Sequence, residues 1–234
     1  MKHLYLKEMD QYFSTPFGFV YLGIFLLLSG VMFTIYNLVG GNGDLAGTFD
    51  LLKNLSSMIF PILTMRSFAE ERRAGTEQML LNSRLRCSQI VLAKYLSALS
   101  VFLVGLMVTL IYVGIIRSFG SPNYGALAAS YLGFILLSAA MIALCLLTAS
   151  FADNQITSAV VSFGVLFALI LCSSLSKAFR IPVLTPVLSA LAVTSQYDDF
   201  TLGLLSLGPV VYYLAFTGVC LYLTTKNLER GRFH

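Results

Sequence analysis

Read along the chain, apolar residues gather into six long runs separated by short polar breaks. The runs cover about residues 17–39, 51–68, 90–116, 125–150, 156–176 and 203–224. Each is near the ~20 residues a helix needs to cross a ~30 Å hydrocarbon core. The pattern predicts an all-α, polytopic protein with six transmembrane helices, forming one domain over residues 1–234. The second run is the least apolar, because Lys53, Asn54, Ser56 and Ser57 dilute it and Pro61 interrupts it. Proline is tolerated at such depth where neighbouring helices or serine side chains satisfy the carbonyl it frees. A re-entrant or interfacial segment is the alternative there, and it would reverse the sidedness of everything that follows.

Ahead of the first run, Tyr5, Met9, Tyr12 and Phe13 fall at i, i+4, i+7 and i+8, with Lys7, Asp10 and Gln11 elsewhere on the wheel. That spacing predicts an amphipathic helix over residues 1–15, lying in the membrane interface. The stretch is too long and too mixed in charge for the n-region of a signal peptide, and the run after it lacks a small-x-small cleavage site. The first run is therefore expected to remain as a span. Between runs five and six, residues 177–200 are apolar yet broken by Pro182 and Pro186, which predicts one or two short external helices dipping into the outer leaflet. The piece "VGGNGDLAGT" carries no lysine and follows no strand, so a flexible external loop fits it better than a phosphate cradle.

Composition sharpens the class. Hydrophobic residues make up 57% of the 234 and charged ones 11%, with a mean hydropathy of +0.82, against roughly 45–50% and 25% in soluble domains. Charge then sets the orientation, since Lys and Arg of short loops stay cytoplasmic. With the N-terminus inside, only Lys53, Arg117, Lys177 and Arg180 of the 15 basic residues fall outside, which predicts both termini in the cytoplasm. Cys87, Cys145, Cys172 and Cys220 show no CxxC spacing, and His3 and His234 stand at opposite ends without ligand or nucleophile neighbours, so neither a metal site nor a catalytic cluster is predicted. Asp198 and Asp199 read as a helix-entry pair acting as N-cap, with an outer gate or an extracellular contact as the minor alternative. No ionisable residue lies near the middle of runs one, three, four, five or six, which argues against an ion or proton pathway and for energy supplied from elsewhere. Ser158 with Ser162, and Gly164 with Ala168, give small-xxx-small spacing suited to close helix approach, either within the chain or at a dimer seam.

The exception to this apolar character is "RSFAEERRAGTEQMLLNSRLRCSQIVLAK", which leaves run two and re-enters at run three. Its cytoplasmic loop, residues 66–89, is the largest polar surface the sequence offers. Arg66 with Glu70 and Arg73 with Glu77 stand at i, i+4. These pairs run cation first, the weaker orientation for supporting their own helix. Gly75 is placed to end one helix or hinge it to the next, and Met79, Leu80 and Leu81 form an apolar patch after it. Two readings compete: arginines meeting lipid phosphate, or a docking surface whose interleaved acids and bases fix a partner's register.

The motif residues Glu70, Glu71, Arg72, Gly75, Thr76, Glu77, Leu80 and Leu81, followed by Ile90, Val91, Lys94 and Tyr95, resemble the E-E-R-x-x-G-T-x-E-x-L-L and I-V-x-x-K-Y pattern of ABC-2 type permeases. The opening "DQYFSTPFGFVYLGIFLLLSG" and the closing "FTLGLLSLGPVVYYLAFTGVCLYLTTKNLERGRF" are similar to the subgroup of gliding-motility-associated and nitrous-oxide-reductase-maturation permeases. One departure is Asn82, Ser83, Arg84 where the family often carries Thr-Ser-Pro. The resemblance implies a permease subunit in the bacterial cytoplasmic membrane, with a coupling helix between spans two and three that inserts into a separate ATP-binding subunit. It names Glu70, Glu71, Arg72, Arg73, Gly75, Thr76, Glu77, Met79, Leu80 and Leu81 as the ATPase-coupling interface, and spans two and five as lining the pathway. The chain has no GxxxxGK[ST] loop, so it binds no cofactor directly; ATP and Mg would be held by the partner ATPase, and the chain itself would not be an enzyme.

Further expected partners are a second copy of the chain or another permease, the lipid bilayer, and a periplasmic or extracellular protein; nucleic acid is not expected. Aromatic-rich spans without buried charge favour export of a hydrophobic or amphipathic substrate, with Pro182, Pro186 and Leu188 as candidates for an external gate. Mechanical transmission through the external loops is the variant of this reading. A membrane scaffold or assembly factor for an envelope complex, moving no substrate, is the alternative from another class.

Overall fold

A computed structural model of the chain describes residues 2–76, 86–119, 123–178, 193–201, 203 and 206–231. Among them every regular element is helical. In chain order these are α1 (Lys2–Ser14), α2 (Pro16–Phe33), α3 (Ala46–Thr64), α4 (Arg66–Arg73), α5 (Cys87–Val108), α6 (Leu110–Phe119), α7 (Tyr124–Ala149), α8 (Gln155–Ala178), α9 (Asp198–Thr201) and α10 (Leu207–Gly231). α2 continues into a π-helical segment, Thr34–Val39, and a 3-10 turn, Ser195–Tyr197, precedes α9. Among the described residues five stretches are long and apolar enough to cross a membrane: Pro16–Val39, Cys87–Ser118, Tyr124–Ala149, Gln155–Ser174 and Leu207–Arg230. They fall on the first, third, fourth, fifth and sixth apolar runs, and they make this a multi-pass membrane protein.

The second run forms α3, which is not among those five because its polar residues lower its hydropathy. Three of the four that dilute it face inward, Asn54 alone being exposed. Lys53, Ser56 and Ser57 are buried, and the two serine hydroxyls donate to the Lys53 carbonyl at 3.2 and 2.7 Å, so their burial leaves no donor unpaired. α3 packs on α2, α7 and α8; it is a core helix of the bundle.

α7 is the most buried of those five stretches and touches α3, α4, α5, α8, α9 and α10. Its buried positions include Ala129, Gly133, Ala140, Ala143 and Ala149, small residues that let helix backbones approach closely where lipid offers no hydrophobic drive for association. A methyl added at Gly133 would lie 2.5 Å from the Phe200 ring. Aromatic rings then tie four helices together. Phe134 of α7 meets Phe49 of α3 at 5.1 Å and Phe102 of α5 at 5.8 Å, and Phe102 meets Phe60 of α3 and Phe25 of α2, each at 5.8 Å. The last two contacts are edge-to-face, the geometry ring quadrupoles favour. Leu27, Met107, Val160, Val211 and Leu214 point outward, as they do where the surrounding solvent is hydrocarbon.

The glycine-rich piece is folded rather than free. The Asn37 amide donates to the carbonyls of Asn42 at 2.7 Å and Asp44 at 2.6 Å and accepts from the Thr48 hydroxyl, while Gly41 takes the left-handed φ of +68° that the turn needs. On α8 the two small-residue pairs separate. Ser158 and Ser162 are buried within the chain, Ser162 bonding Thr148 of α7 at 2.6 Å, whereas Gly164 faces open space. Glu77, Met79, Leu80, Leu81, Pro182, Pro186 and Leu188 lie outside the described residues.

Candidate coupling site

Only Met65 separates α3 from α4, so the buried second run and the charged stretch form nearly one rod. The rod stops at Gly75, whose φ is +67°. The Thr76 N–H donates to the Glu71 carbonyl at 3.0 Å and the Gly75 N–H to the Arg72 carbonyl at 3.1 Å, the paired bonds of a Schellman stop. Of the two roles open to Gly75, ending the helix is the one observed.

α4 is clamped along its length. On one side lies α1, whose Tyr5, Met9 and Tyr12 pack on the core, while Phe13, the fourth apolar residue of the face read from the sequence, is exposed. The Tyr12 hydroxyl donates to the Leu63 carbonyl at 2.9 Å, and burial pushes its pKa up, opposed by the Ser67 hydroxyl. Gln11 donates to Glu70 at 2.6 Å. Glu70 in turn pairs with Arg66 at 2.6 Å, and Arg66 also donates to the Thr15 hydroxyl at 3.1 Å and lies 4.2 Å over the Phe17 ring at the start of α2.

The centre of the site is Lys94, in the second turn of α5 and only 1% exposed. Its ammonium is 2.9 Å from Glu8 of α1 and 2.9 Å from Glu71 of α4, and it donates to the Ser67 carbonyl. An ammonium has three donors and no acceptor; here all three are used. Burial pushes the Glu71 carboxyl up, against the pull of Lys94, and the neighbouring Glu8 charge adds to the rise.

On the other side of α4, Arg72 donates to the carbonyls of Ala152 at 2.6 Å and Ser150 at 2.8 Å, and lies 3.8 Å from the Asp153 carboxylate. Asn227, near the end of α10, donates to the same Ser150 carbonyl at 2.9 Å. Carbonyls at a helix end lack intrahelical partners, and a cation there complements the helix dipole. Arg73 is exposed and lines an open groove of about 800 Å³ with Ala69, Arg72, Asp153, Asn154, Gln155 and Ile156.

The candidate interface thus divides. Glu70, Glu71 and Arg72 are engaged inside the chain, and Arg73, Gly75 and Thr76 are exposed. Sequence reasoning missed Glu8. Its position, three residues after Tyr5 and four before Tyr12, puts an acid in the middle of the apolar face of α1, and an acid there is a signal of a buried cation opposite.

At the other end of α3, Lys53 is 2.6 Å from Asp50 and 2.9 Å from Asp198, and 5.3 Å over the Tyr197 ring. Asp198 opens α9 as an N-terminal acid, yet its carboxylate also fastens that short helix to α3. Asp199 accepts from the Ser206 hydroxyl at 3.1 Å.

A helical bundle with these apolar helices, and a charged helix emerging from a polar core helix, defines a multi-pass membrane protein. A family model described as ABC-2 family transporter protein matches residues 48–194, and the chain belongs to that family. No curated protein matches it.

Proposed function

We propose that the chain is the membrane-spanning permease subunit of an ABC transporter, with six spans, both termini in the cytoplasm, and a separate ATP-binding subunit that holds ATP and Mg. The observation that carries this reading is the α3–α4 rod. A core helix of the bundle runs directly into a charged helix with a defined stop, so a push on α4 reaches the aromatic core. Contacts at the two ends support six crossings. α2, α5 and α8 begin at the Arg66–Lys94–Arg72 end, and α3 with α4, α7 and α10 finish there, the alternation expected of an up-and-down bundle with α3 as one of its spans.

The ATPase meets the exposed part of the stretch, Arg73, Gly75 and Thr76, together with Glu77 and the Met79 to Leu81 patch, while Glu70, Glu71 and Arg72 hold α4 in place behind it. The complex works as a homodimer or with a second permease in the bacterial cytoplasmic membrane. The gliding-motility and nitrous-oxide-reductase-maturation subgroup is the part of the family its ends resemble. Outward movement of a hydrophobic or amphipathic substrate suits the apolar spans, with Pro182, Pro186 and Leu188 near its exit; transmission of force to an external protein is the other output compatible with the same rod.

Co-purification of the full chain with its ATP-binding subunit tests the reading. Arg73→Glu is expected to leave the permease folded and inserted while weakening capture of the subunit, because a charge reversal at a docking surface acts on the partner. Arg72→Glu is expected to lower the yield of folded permease itself, since it takes a donor from two helix-end carbonyls and sets an acid beside Asp153. Equal capture by the wild type and Arg73→Glu would remove Arg73 from the interface, and a wild-type chain purifying with no ATPase would overturn the proposal.

A further inference from the structure

We infer that Lys94 is a positioning residue that makes α1 a moving part of the coupling assembly, an inference that rests on the coupling reading above. The residues matched to the family begin at position 48, so α1 lies outside them, yet polar side chains join it to the α3–α4 rod. Lys94 holds Glu8 on one side and both Glu71 and the Ser67 carbonyl on the other. Gln11 to Glu70 and Tyr12 to the Leu63 carbonyl repeat the α1-to-rod connection about one turn along α1 from Glu8. Tyr5 extends it to α5 through Ser100 at 2.9 Å.

The chemistry of the cluster makes it all-or-none. Two carboxylates and one ammonium meet where Lys94 is 1% and Glu8 4% exposed, so solvent is a poor substitute for a lost partner. If α4 shifted while α1 stayed, either Glu8 or Glu71 would be left buried without its cation, which is strongly disfavoured. The low-cost motion carries α1, α4 and the start of α5 together. α1 lies on the path of the displacement: a push delivered to α4 leaves the bundle through two elements, the α3 rod and the amphipathic helix at the membrane surface.

The test uses the full permease in complex with its ATP-binding subunit in lipid nanodiscs. A fluorophore is placed on α1 at His3, an exposed position. Adding a non-hydrolysable ATP analogue is expected to change its signal in the wild type. With Lys94→Met the subunit should still co-purify, the nucleotide-dependent signal at His3 should vanish, and permease-dependent ATPase stimulation should fall on the order of tenfold, within the range of coupling between linked sites. The double variant Lys94→Glu with Glu71→Lys keeps one cation between two acids and should restore the signal, which a loss of packing alone would not predict. A wild-type signal indifferent to nucleotide overturns the inference whether or not the variants fold, and so does a Lys94→Met signal equal to wild type. Failure of the wild type to capture the ATPase is a different result and overturns the coupling reading itself.

Discussion

Two buried lysines anchor opposite ends of this bundle, each between two carboxylates, and they differ in where the acids lie. Around Lys94 the partners are enclosed, with side chains 6% and 14% exposed for Glu8 and Glu71. Around Lys53 they are open to solvent, 47% and 41% for Asp50 and Asp198. A lysine among buried acids binds its elements together, because removing any one member strands a charge in a medium that cannot solvate it. A lysine with exposed acids can lose either partner to water at little cost. The first arrangement makes its elements move as one piece, and the second lets them part and rejoin at little cost.

Replacing the two lysines by methionine measures that contrast most directly. Lys94→Met is expected to destabilise by about 3–5 kcal/mol, and Lys53→Met by no more than about 1 kcal/mol, both read by thermal unfolding of the detergent-solubilised protein. Similar losses at the two sites would break the comparison.

Arg72→Ala comes next. It strips the Ser150 and Ala152 carbonyls of a charged donor, with an expected cost of about 1–3 kcal/mol and faster hydrogen exchange at the α7–α8 turn. Arg72→Lys should recover only part of it, since a point charge cannot reach both carbonyls as the planar fork does.

Gly133→Ala acts on the open end alone. The added methyl meets the Phe200 ring, and an overpacked contact of this kind costs about 1–3 kcal/mol; if the Phe200 ring swings away with α9, the loss falls toward the lower figure. Protease sensitivity should rise near Asp198 and stay unchanged near Gly75. A change at Gly75 would mean the two ends are less independent than their lysines suggest.

The smallest effect is a pH slope. Burial raises the Glu71 carboxyl above its ordinary value, so the folded state holds a proton that the unfolded state has already released. Stability is therefore highest below the ordinary carboxylate pKa and declines as pH rises from there through the raised value. Glu71→Gln should flatten that part of the melting-temperature profile; an unchanged slope would show that another group sets it.

The sequence made the long helices, the amphipathic start and the charged stretch legible because each is a local pattern of three to twenty residues. What it hid was pairing at a distance. Lys94 reads as one more cation at a cytoplasmic span entrance, and only the fold brings it to Glu8, 86 positions earlier. Asp198 reads as a helix cap, but it lies in the first turn of α9, and its partner Lys53 is 145 residues away. In α3 the polar residues that weaken the apolar run also mark it as a helix surrounded by protein, and hydropathy alone does not distinguish that from a helix that stays out of the bilayer. The π-helical turn around Asn37 depends on carbonyls that a loop presents only once folded.

The small residues of α7 also bear on which substitutions this chain tolerates. At Ala129, Ala140, Ala143 and Ala149 the neighbouring helices occupy the space a larger side chain would need, so the admissible alphabet there shrinks to glycine, alanine, serine and cysteine, and at Gly133, where even a methyl meets the Phe200 ring, to glycine. On the outward positions of α8 and α10, such as Val160, Val211 and Leu214, any apolar residue satisfies lipid equally well. Saturation mutagenesis read along the chain should therefore show α7, with the core helix α3, intolerant among more permissive helices, and the position of that intolerance would locate the axis of the bundle without a structure.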